Sequence, residues 1–206
     1  KHSFPALWIR QHPPQNVIKI WEKTSWSCHH GVARWSTGCD CTPLSDWKRQ
    51  LRFAIDAVAQ IVDHEYEMFI KEYTKDIWAI RKAYWEVIKE NLDFETFVKK
   101  YLNIAISDEE KEKLTYFLTA QVERQRMYTS CGWFFDDFDR IEPQNVVSYA
   151  AHAIYWIDYA THLNYYEKVL PYFEKILSQR TLVSGDVIFS QQYQRSKQFF
   201  PSTLKM

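Results

Sequence analysis

The 206-residue chain is poor in glycine, of which it has only four. Because average proteins contain about 7% glycine, backbone turns that need a positive φ must be few, and this favours long helices. An excess of charge is also missing, since 26 lysines and arginines balance 26 aspartates and glutamates. This balance gives no indication of nucleic acid or an anionic membrane as a partner.

Long apolar runs and the common catalytic motifs are missing as well. No run approaches the ~20 residues of a membrane span, and the first residues lack the pattern of a signal peptide. Four cysteines are too few for a disulfide scaffold, so we expect a cytoplasmic protein. The sequence contains no phosphate loop, dinucleotide fingerprint, nucleophile elbow or zinc-protease motif.

Hydrophobic periodicity predicts an all-α fold. The longest predicted helix covers residues 46–72, with Ser45 as its N-cap and apolar side chains three or four positions apart. Further helices are predicted at about 76–90, 93–102, 107–128, 143–163 and 164–178. Ser107 and Glu110 form a capping-box pattern, Pro143 suits a first helical turn, and Pro171 should bend or break its helix.

These elements predict a single domain, a helical bundle of about five to six helices. Residues 1–45 form an irregular, motif-bearing segment packed on the bundle, and Val17–Trp21 is a candidate for a short strand. Residues 46–179 form the bundle itself. Residues 180–206 are predicted to be a peripheral C-terminal arm.

Unusual residue types are concentrated in two short segments, residues 24–41 and 127–137. The first contains three of the four cysteines and two of the four glycines, and the second contains the last cysteine. We call them the first and second motif segments. Helix packing does not require cysteine, histidine, glycine and tryptophan together, so we expect the two segments to pack against each other.

The cysteines offer soft ligands of the kind that zinc prefers. Cys28, Cys39 and Cys41 lie close in sequence, with His29 and His30 nearby, and Cys131 completes a set of four if the fold brings the segments together. Buried thiols or a disulfide remain the alternative interpretation. His30 precedes Gly31, where a loop can approach a ligand closely, but a histidine satisfied by the backbone fits equally well.

Aromatic side chains in the two segments are suited to bind carbohydrate. Trp26, Trp35 and Trp133 lie outside the predicted helices, and flat rings stack on the apolar faces of sugars while Arg34 and carboxylates bind the hydroxyls. A hydrophobic plug between loop and bundle is the alternative, and we favour it for Phe134 and Phe135.

The acidic residues of the second segment are candidates for binding or catalysis. Paired carboxylates suit glycoside hydrolysis, but Asp139 and Glu142 lie just before a helix, where acids cap the first turn. Asp136 or Asp137, beside Trp133, remains a candidate to bind a polar ligand.

Both segments resemble the C-terminal region of family-57-like glycoside hydrolases, a region classified as domain of unknown function 3536. The resemblance rests on Thr24-Ser-Trp-Ser-Cys28, His30-Gly-Val, Arg34-Trp35, Cys39-Asp-Cys41 and residues 128–137, with a lead-in at residues 12–20. Related sequences tend to have glycine where this chain has Asp40.

The resemblance implies a helical domain that follows a distorted (β/α)-barrel, which carries the catalytic acids. By implication, this chain completes an α-glucan cleft and has no catalytic residue of its own. Its partners are then an N-terminal (β/α)-barrel domain of the same protein and carbohydrate. The substrate-binding residues implied are Trp26, His30, Arg34, Trp35, Trp133 and Asp136.

Two other functions remain open. One is a metal-stabilised or redox-sensing interaction module centred on Cys28, Cys39, Cys41 and Cys131, with zinc as its cofactor. The other is a purely structural bundle. The carbohydrate hypothesis needs no cofactor, so metal content separates it from the first alternative.

Overall fold

The computed structural model describes residues 10–13, 15–25, 28–102 and 104–199. Within these residues it is helical and has no strand, only an isolated bridge between Leu177 and Ser184. The predicted all-α class is therefore confirmed. The chain divides into two compact units, Lys1–Val32 and Ala33–Met206.

The described part of the first unit is mainly turns and irregular chain. Val17–Trp21 has no regular secondary structure, so the predicted strand is wrong. Val17 is fully exposed and Trp21 is 74% exposed. A short run rich in β-branched residues forms a strand only where another strand pairs with it, and the described residues include none.

The second unit contains eight α-helices in its described residues. They are α1 Trp47–Ile70, α2 Ile77–Ala83, α3 Trp85–Ile88, α4 Phe94–Tyr101, α5 Asp108–Arg126, α6 Ile141–Thr161, α7 Tyr165–Phe173 and α8 Gly185–Phe199. Two 3₁₀ turns, Ala33–Trp35 and Ser130–Trp133, lie within the two motif segments. The helix predicted over 76–90 is divided at Tyr84 into α2 and α3.

Helix α6 is the centre of the second unit, because α1, α5, α7 and α8 all pack against it. Twelve of its 21 residues are buried, on every side of the helix. A helix that is apolar all round belongs in the interior of a protein. Helix α1 instead buries one stripe, on which Leu51, Ile55, Val58 and Val62 are fully shielded from solvent.

The helix starts agree with the sequence in one case and differ in another. Ser107 and Glu110 form the predicted capping box at the start of α5. Ser45 does not cap α1, whose N-cap is Asp46. The Ser45 hydroxyl donates instead to the carbonyl of Cys39 at 3.5 Å, because serine hydroxyls also bond local backbone outside helices.

The predicted peripheral arm is the largest difference from the sequence analysis. Residues 185–199 form α8, which packs on α6 and α7. Phe189 is fully buried, and its ring stacks on Phe173 with centroids 4.3 Å apart. Burying one aromatic ring stabilises a fold by about 2–3 kcal/mol, so α8 is part of the bundle.

No helix in the described residues combines the length and the apolar character that crossing a lipid bilayer requires.

Candidate functional site

The first motif segment crosses the boundary between the two compact units, Lys1–Val32 and Ala33–Met206. In the first unit Cys28 is buried and His30 is exposed. In the second unit Cys39 is half-buried and Cys41 is exposed.

Two glycines shape the chain on either side of the Ala33–Trp35 turn. Gly31 follows His30 with φ +64°, and a Cβ there would lie 2.7 Å from the carbonyl oxygen of Lys23. Gly38 precedes Cys39 with φ +82°, and a Cβ there would lie 2.5 Å from the Ser45 hydroxyl. Only glycine adopts such a conformation and tolerates such an approach at low cost. Asp40 needs no positive φ, so its side chain is accommodated between the two cysteines.

His30 lies beside Cys28 within the first unit, where the Cys28 sulfur and His30 Nδ1 are 3.4 Å apart. Cys131 lies in the Ser130–Trp133 turn of the second unit and is exposed. A metal held by Cys28, Cys39, Cys41 and Cys131 stays a prediction.

The two motif segments meet through Arg34. Its guanidinium donates a hydrogen bond of 3.1 Å to the carbonyl of Phe134 and lies 4.8 Å from the centroid of the Phe134 ring. The Ala33–Trp35 and Ser130–Trp133 turns also contact each other. The expected contact between the segments is thus found at the Ala33–Trp35 turn, with arginine at the contact.

Arg52, which the sequence analysis did not select, holds both turns from α1. It donates a 2.8 Å hydrogen bond to the carbonyl of Trp35, and its guanidinium lies 4.8 Å from the centroid of the Trp133 ring. A cation over an indole face is stabilising. In the sequence Arg52 is an ordinary polar residue of an amphipathic helix, so no local signal identified it.

The tryptophans of the motif segments differ in accessibility. Trp133 is 1% exposed and stacks on Trp47, with centroids 6.4 Å apart. The Trp47 indole N–H donates to the carbonyl of Asp136 at 3.0 Å. This burial favours the plug interpretation for Trp133. Trp35 is half-buried, and Trp26 lies outside the described residues.

Asp136 and Asp137 have separate partners. Asp136 forms an ion pair with Arg180, and the hydrogen bonds from that guanidinium lower the pKa of the carboxyl. Asp137 is fully buried. Its burial raises the pKa, but hydrogen bonds from Ser178 and from three backbone N–H groups outweigh this and leave the pKa lowered. Both acids are therefore ionised at neutral pH.

Phe134 and Phe135 are not equally shielded. Phe134 is 46% exposed, and its ring meets Phe135 edge-on with centroids 5.8 Å apart. Phe135 is half-buried, with Arg140 over its ring at 5.8 Å. Phe134 therefore has ring surface available to a ligand, which the plug interpretation did not anticipate.

A concave region of ≈ 510 Å³ lies beside α6 and α8. It contains Asp158, which is buried and accepts hydrogen bonds from the N–H groups of Tyr165 and Tyr166 and from the Tyr193 hydroxyl. Burial raises the pKa of Asp158, although these hydrogen bonds oppose the effect. Because its partners tie α6 to α7 and α8, we interpret Asp158 as structural.

Comparison with known proteins identifies the family and little else. No curated protein and no solved structure matches the chain. The model of one family, described as "Domain of unknown function (DUF3536)", matches residues 45–200. The match includes all eight helices that the structure describes in the second unit and covers well over half of the chain. The chain therefore belongs to the domain of unknown function 3536 family.

Proposed function

We propose that this chain is the C-terminal helical domain of an α-glucan-active glycoside hydrolase or transglycosidase. In this proposal it completes the substrate cleft of a (β/α)-barrel domain and performs no chemistry alone. The proposal joins the resemblance of the two motif segments to family-57-like enzymes with the family membership of the bundle. The barrel would supply the acid and base.

The observation that carries the proposal is the contact between Arg34 and Phe134. It joins the two motif segments into one patch, which we define as Arg34, Trp35, Phe134 and Asp136. Trp35 and Phe134 are partly exposed aromatic residues in this patch, Arg34 is its cation, and Asp136, two residues after Phe134, is an anion that pairs with Arg180. Rings that stack on sugar faces, beside charged groups that bind hydroxyls, are the chemistry that a glucan needs.

The Arg34 side chain retains binding capacity within this patch. Its Nε is shielded from solvent and has no hydrogen-bond partner among the described residues. A shielded donor without an acceptor costs about 1–3 kcal/mol. A ligand hydroxyl or a bridging water at this place would remove that cost.

The state of the acids supports a role in binding. A general acid at neutral pH needs a raised pKa, whereas the pKa of Asp136 and that of Asp137 are both lowered. Asp137 is also enclosed by its four donors. Neither carboxyl is suited to protonate a glycosidic oxygen.

Affinity electrophoresis in gels containing glycogen or amylose tests the proposal. We expect the polysaccharide to retard the chain, and Phe134→Ala to weaken binding about fivefold, because losing about 1 kcal/mol of aromatic contact changes affinity by that factor. Phe53→Ala is the matched control, since Phe53 is 56% exposed on α1. Equal mobility with and without glucan, or equal losses in the two variants, would contradict the proposal.

A further inference from the structure

We propose that a pocket lined by α2, α3 and α5 binds a phosphate monoester carried on a ring, such as a sugar phosphate or a nucleotide. The pocket lies within the second unit and has a volume of ≈ 470 Å³, which is in the usual range of small-molecule sites. The site goes beyond the glucan-binding proposal and does not depend on it. We call it the basic pocket, and its walls include Arg81, Lys82, Trp85, Ile88, Gln125 and Arg126.

The basic pocket is built around a break between two helices. Helix α2 ends at Ala83 and α3 begins at Trp85, and residues on both sides of this break line the pocket together with the last turn of α5. Arg81 and Lys82 belong to the last turn of α2, and Arg126 belongs to the last turn of α5. The fold therefore brings basic side chains from two helices to one concave place.

The positive charge of the basic pocket is only partly neutralised by the protein. None of the described residues that line it is acidic. Arg126 is paired with Glu123, to which its guanidinium donates a 2.6 Å hydrogen bond. Arg81 and Lys82 form no ion pair with any residue that the structure describes. These two side chains are therefore available to an anionic ligand.

Basic residues in the last turn of a helix can also serve the helix itself, by bonding its final carbonyl groups. Neither the guanidinium of Arg81 nor the ammonium group of Lys82 donates a hydrogen bond within the described part of the chain. The Arg81 guanidinium instead lies 5.1 Å from the centroid of the Trp78 ring. This contact holds the guanidinium in place and leaves its N–H groups for a ligand.

The surroundings of Arg81 favour a bound anion. Burial lowers the pKa of Arg81, and the neighbouring Arg124 lowers it further, although Asp63 has the opposite effect. Asp63 is itself paired with Arg124. Burial and a like charge both make the positive charge less favourable, and an anion offsets them. Arginine stays charged in proteins, so Arg81 can donate paired hydrogen bonds to phosphate oxygens.

Apolar surface in the basic pocket indicates that the phosphate is attached to a ring. Trp85 is 50% exposed and Ile88 is 54% exposed, and the Lys89 ammonium group lies 5.5 Å from the centroid of the Trp85 ring. An indole can stack on a nucleobase or on the apolar face of a sugar. Gln125 donates to the carbonyl of Gln121, and its side-chain oxygen can accept from a ring hydroxyl or amino group.

Isothermal titration calorimetry of the whole chain is the primary test. The ligands are glucose 6-phosphate and adenosine monophosphate, and glucose, adenosine and inorganic phosphate are measured as their separate parts. We expect at least one ester to bind more tightly than any of these parts. Added sodium chloride should weaken its binding, because salt screens the charges. The ester with the higher affinity identifies the ring.

Variants test which side chains bind the phosphate. Arg81→Ala and Lys82→Ala should each weaken binding of that ester about tenfold, because each removes a charge-assisted bond. Lys175→Ala is the matched control, since Lys175 is exposed and does not line the pocket. Phe134→Ala separates this site from the glucan patch, and both controls should bind as the wild type does.

Circular dichroism shows whether each variant is folded. Lys82 is exposed and makes no hydrogen bond within the described residues, so Lys82→Ala should keep the helices. If Arg81→Ala unfolds because the contact with Trp78 is lost, the affinity of Lys82→Ala decides the test.

Tryptophan fluorescence tests the ring contact separately. The emission of the wild type should change as the ester is added. Trp85→Phe should keep most of the affinity and lose this change, because no other tryptophan among the described residues lines the pocket. A change that persists in Trp85→Phe would contradict the stacking contact.

Three further outcomes would overturn the proposal. The site is excluded if millimolar concentrations of both esters give neither binding heat nor a rise in the unfolding temperature. Equal losses in Lys82→Ala and Lys175→Ala, or an affinity that salt does not change, would show that the charges of the pocket do not bind the ligand. Inorganic phosphate that binds as tightly as the esters would exclude a contact with the ring.

Discussion

The Ser178 hydroxyl donates a 2.8 Å hydrogen bond to Asp137 Oδ2, and both residues are fully buried. Asp137 also accepts from the backbone N–H groups of Gln179 and Arg180 at 3.2 and 3.0 Å. One carboxylate of the second motif segment thus organises the turn that leads to α8. This acid, which the sequence presented as a candidate for ligand binding or catalysis, holds the C-terminal part of the bundle in place.

Asp137→Asn should lower the free energy of unfolding by about 2–3 kcal/mol, because an amide cannot accept from all the buried donors that the carboxylate satisfies. Ser178→Ala should cost about 1 kcal/mol, since the backbone donors remain. Asp46→Asn is the control: Asp46 is exposed and makes no side-chain capping bond. Urea unfolding followed by circular dichroism measures all three. A cost for Asp137→Asn no larger than that for Asp46→Asn would refute this role.

The contribution of Asp137 should depend on pH with a defined sign. Its folded pKa is lowered from an unfolded value of about 3.9. The stabilisation is therefore present above about pH 4 and is lost as the pH falls through the folded pKa. The difference in unfolding free energy between wild type and Asp137→Asn should shrink between about pH 6 and pH 3. A difference that stays constant over this range would count against a carboxylate origin.

Gly132→Ala should destabilise the chain by about 1–3 kcal/mol through overpacking. A Cβ at this position would lie 2.3 Å from Cγ2 of Val146, which is fully buried on α6. Val146→Ala removes that methyl group, so the double variant should be less destabilised than the sum of the single ones. Thermal unfolding of the four proteins measures this coupling. Strict additivity would show that the contact is not the cause.

Phe189→Ala should cost about 3–5 kcal/mol, the usual cost of removing a buried aromatic side chain. Phe189 is fully buried on α8, whereas Val187 on the same helix is 46% exposed. Val187→Ala should change stability by less than about 0.5 kcal/mol. Chemical unfolding distinguishes the two variants. If both variants lose similarly little free energy of unfolding, α8 contributes little to stability, as expected for the peripheral arm predicted from the sequence.

The isolated chain should release no sugar from starch, glycogen or maltooligosaccharides. Asp136 and Asp137 are adjacent and both have a lowered pKa, whereas hydrolysis needs two carboxyl groups facing each other across about 5–10 Å, one of them protonated. A reducing-sugar assay with prolonged incubation measures this. Turnover that disappears in Asp136→Asn or Asp137→Asn would disprove the prediction.

The helices are where sequence and structure agree most closely. The apolar stripe of α1 and the capping box of Ser107 are local patterns, because the residues that define them are at most four positions apart. The structure contains both patterns. The stripe lies on α1, from Trp47 to Ile70, and the capping box begins α5. The strand predicted at Val17–Trp21 failed because a strand depends on a partner that no local pattern guarantees.

The sequence by itself determined the helical class, the long helices and the two segments that concentrate the unusual residues. Only the tertiary structure decided that Arg34 meets Phe134, that Trp133 is enclosed, and that α8 belongs to the core. The physical reason is the distance along the chain between the residues that interact. Helical periodicity depends on neighbours within one or two turns, whereas the environment of a side chain in a loop depends on residues far away in the chain, as Asp137 and Ser178 do across 41 positions.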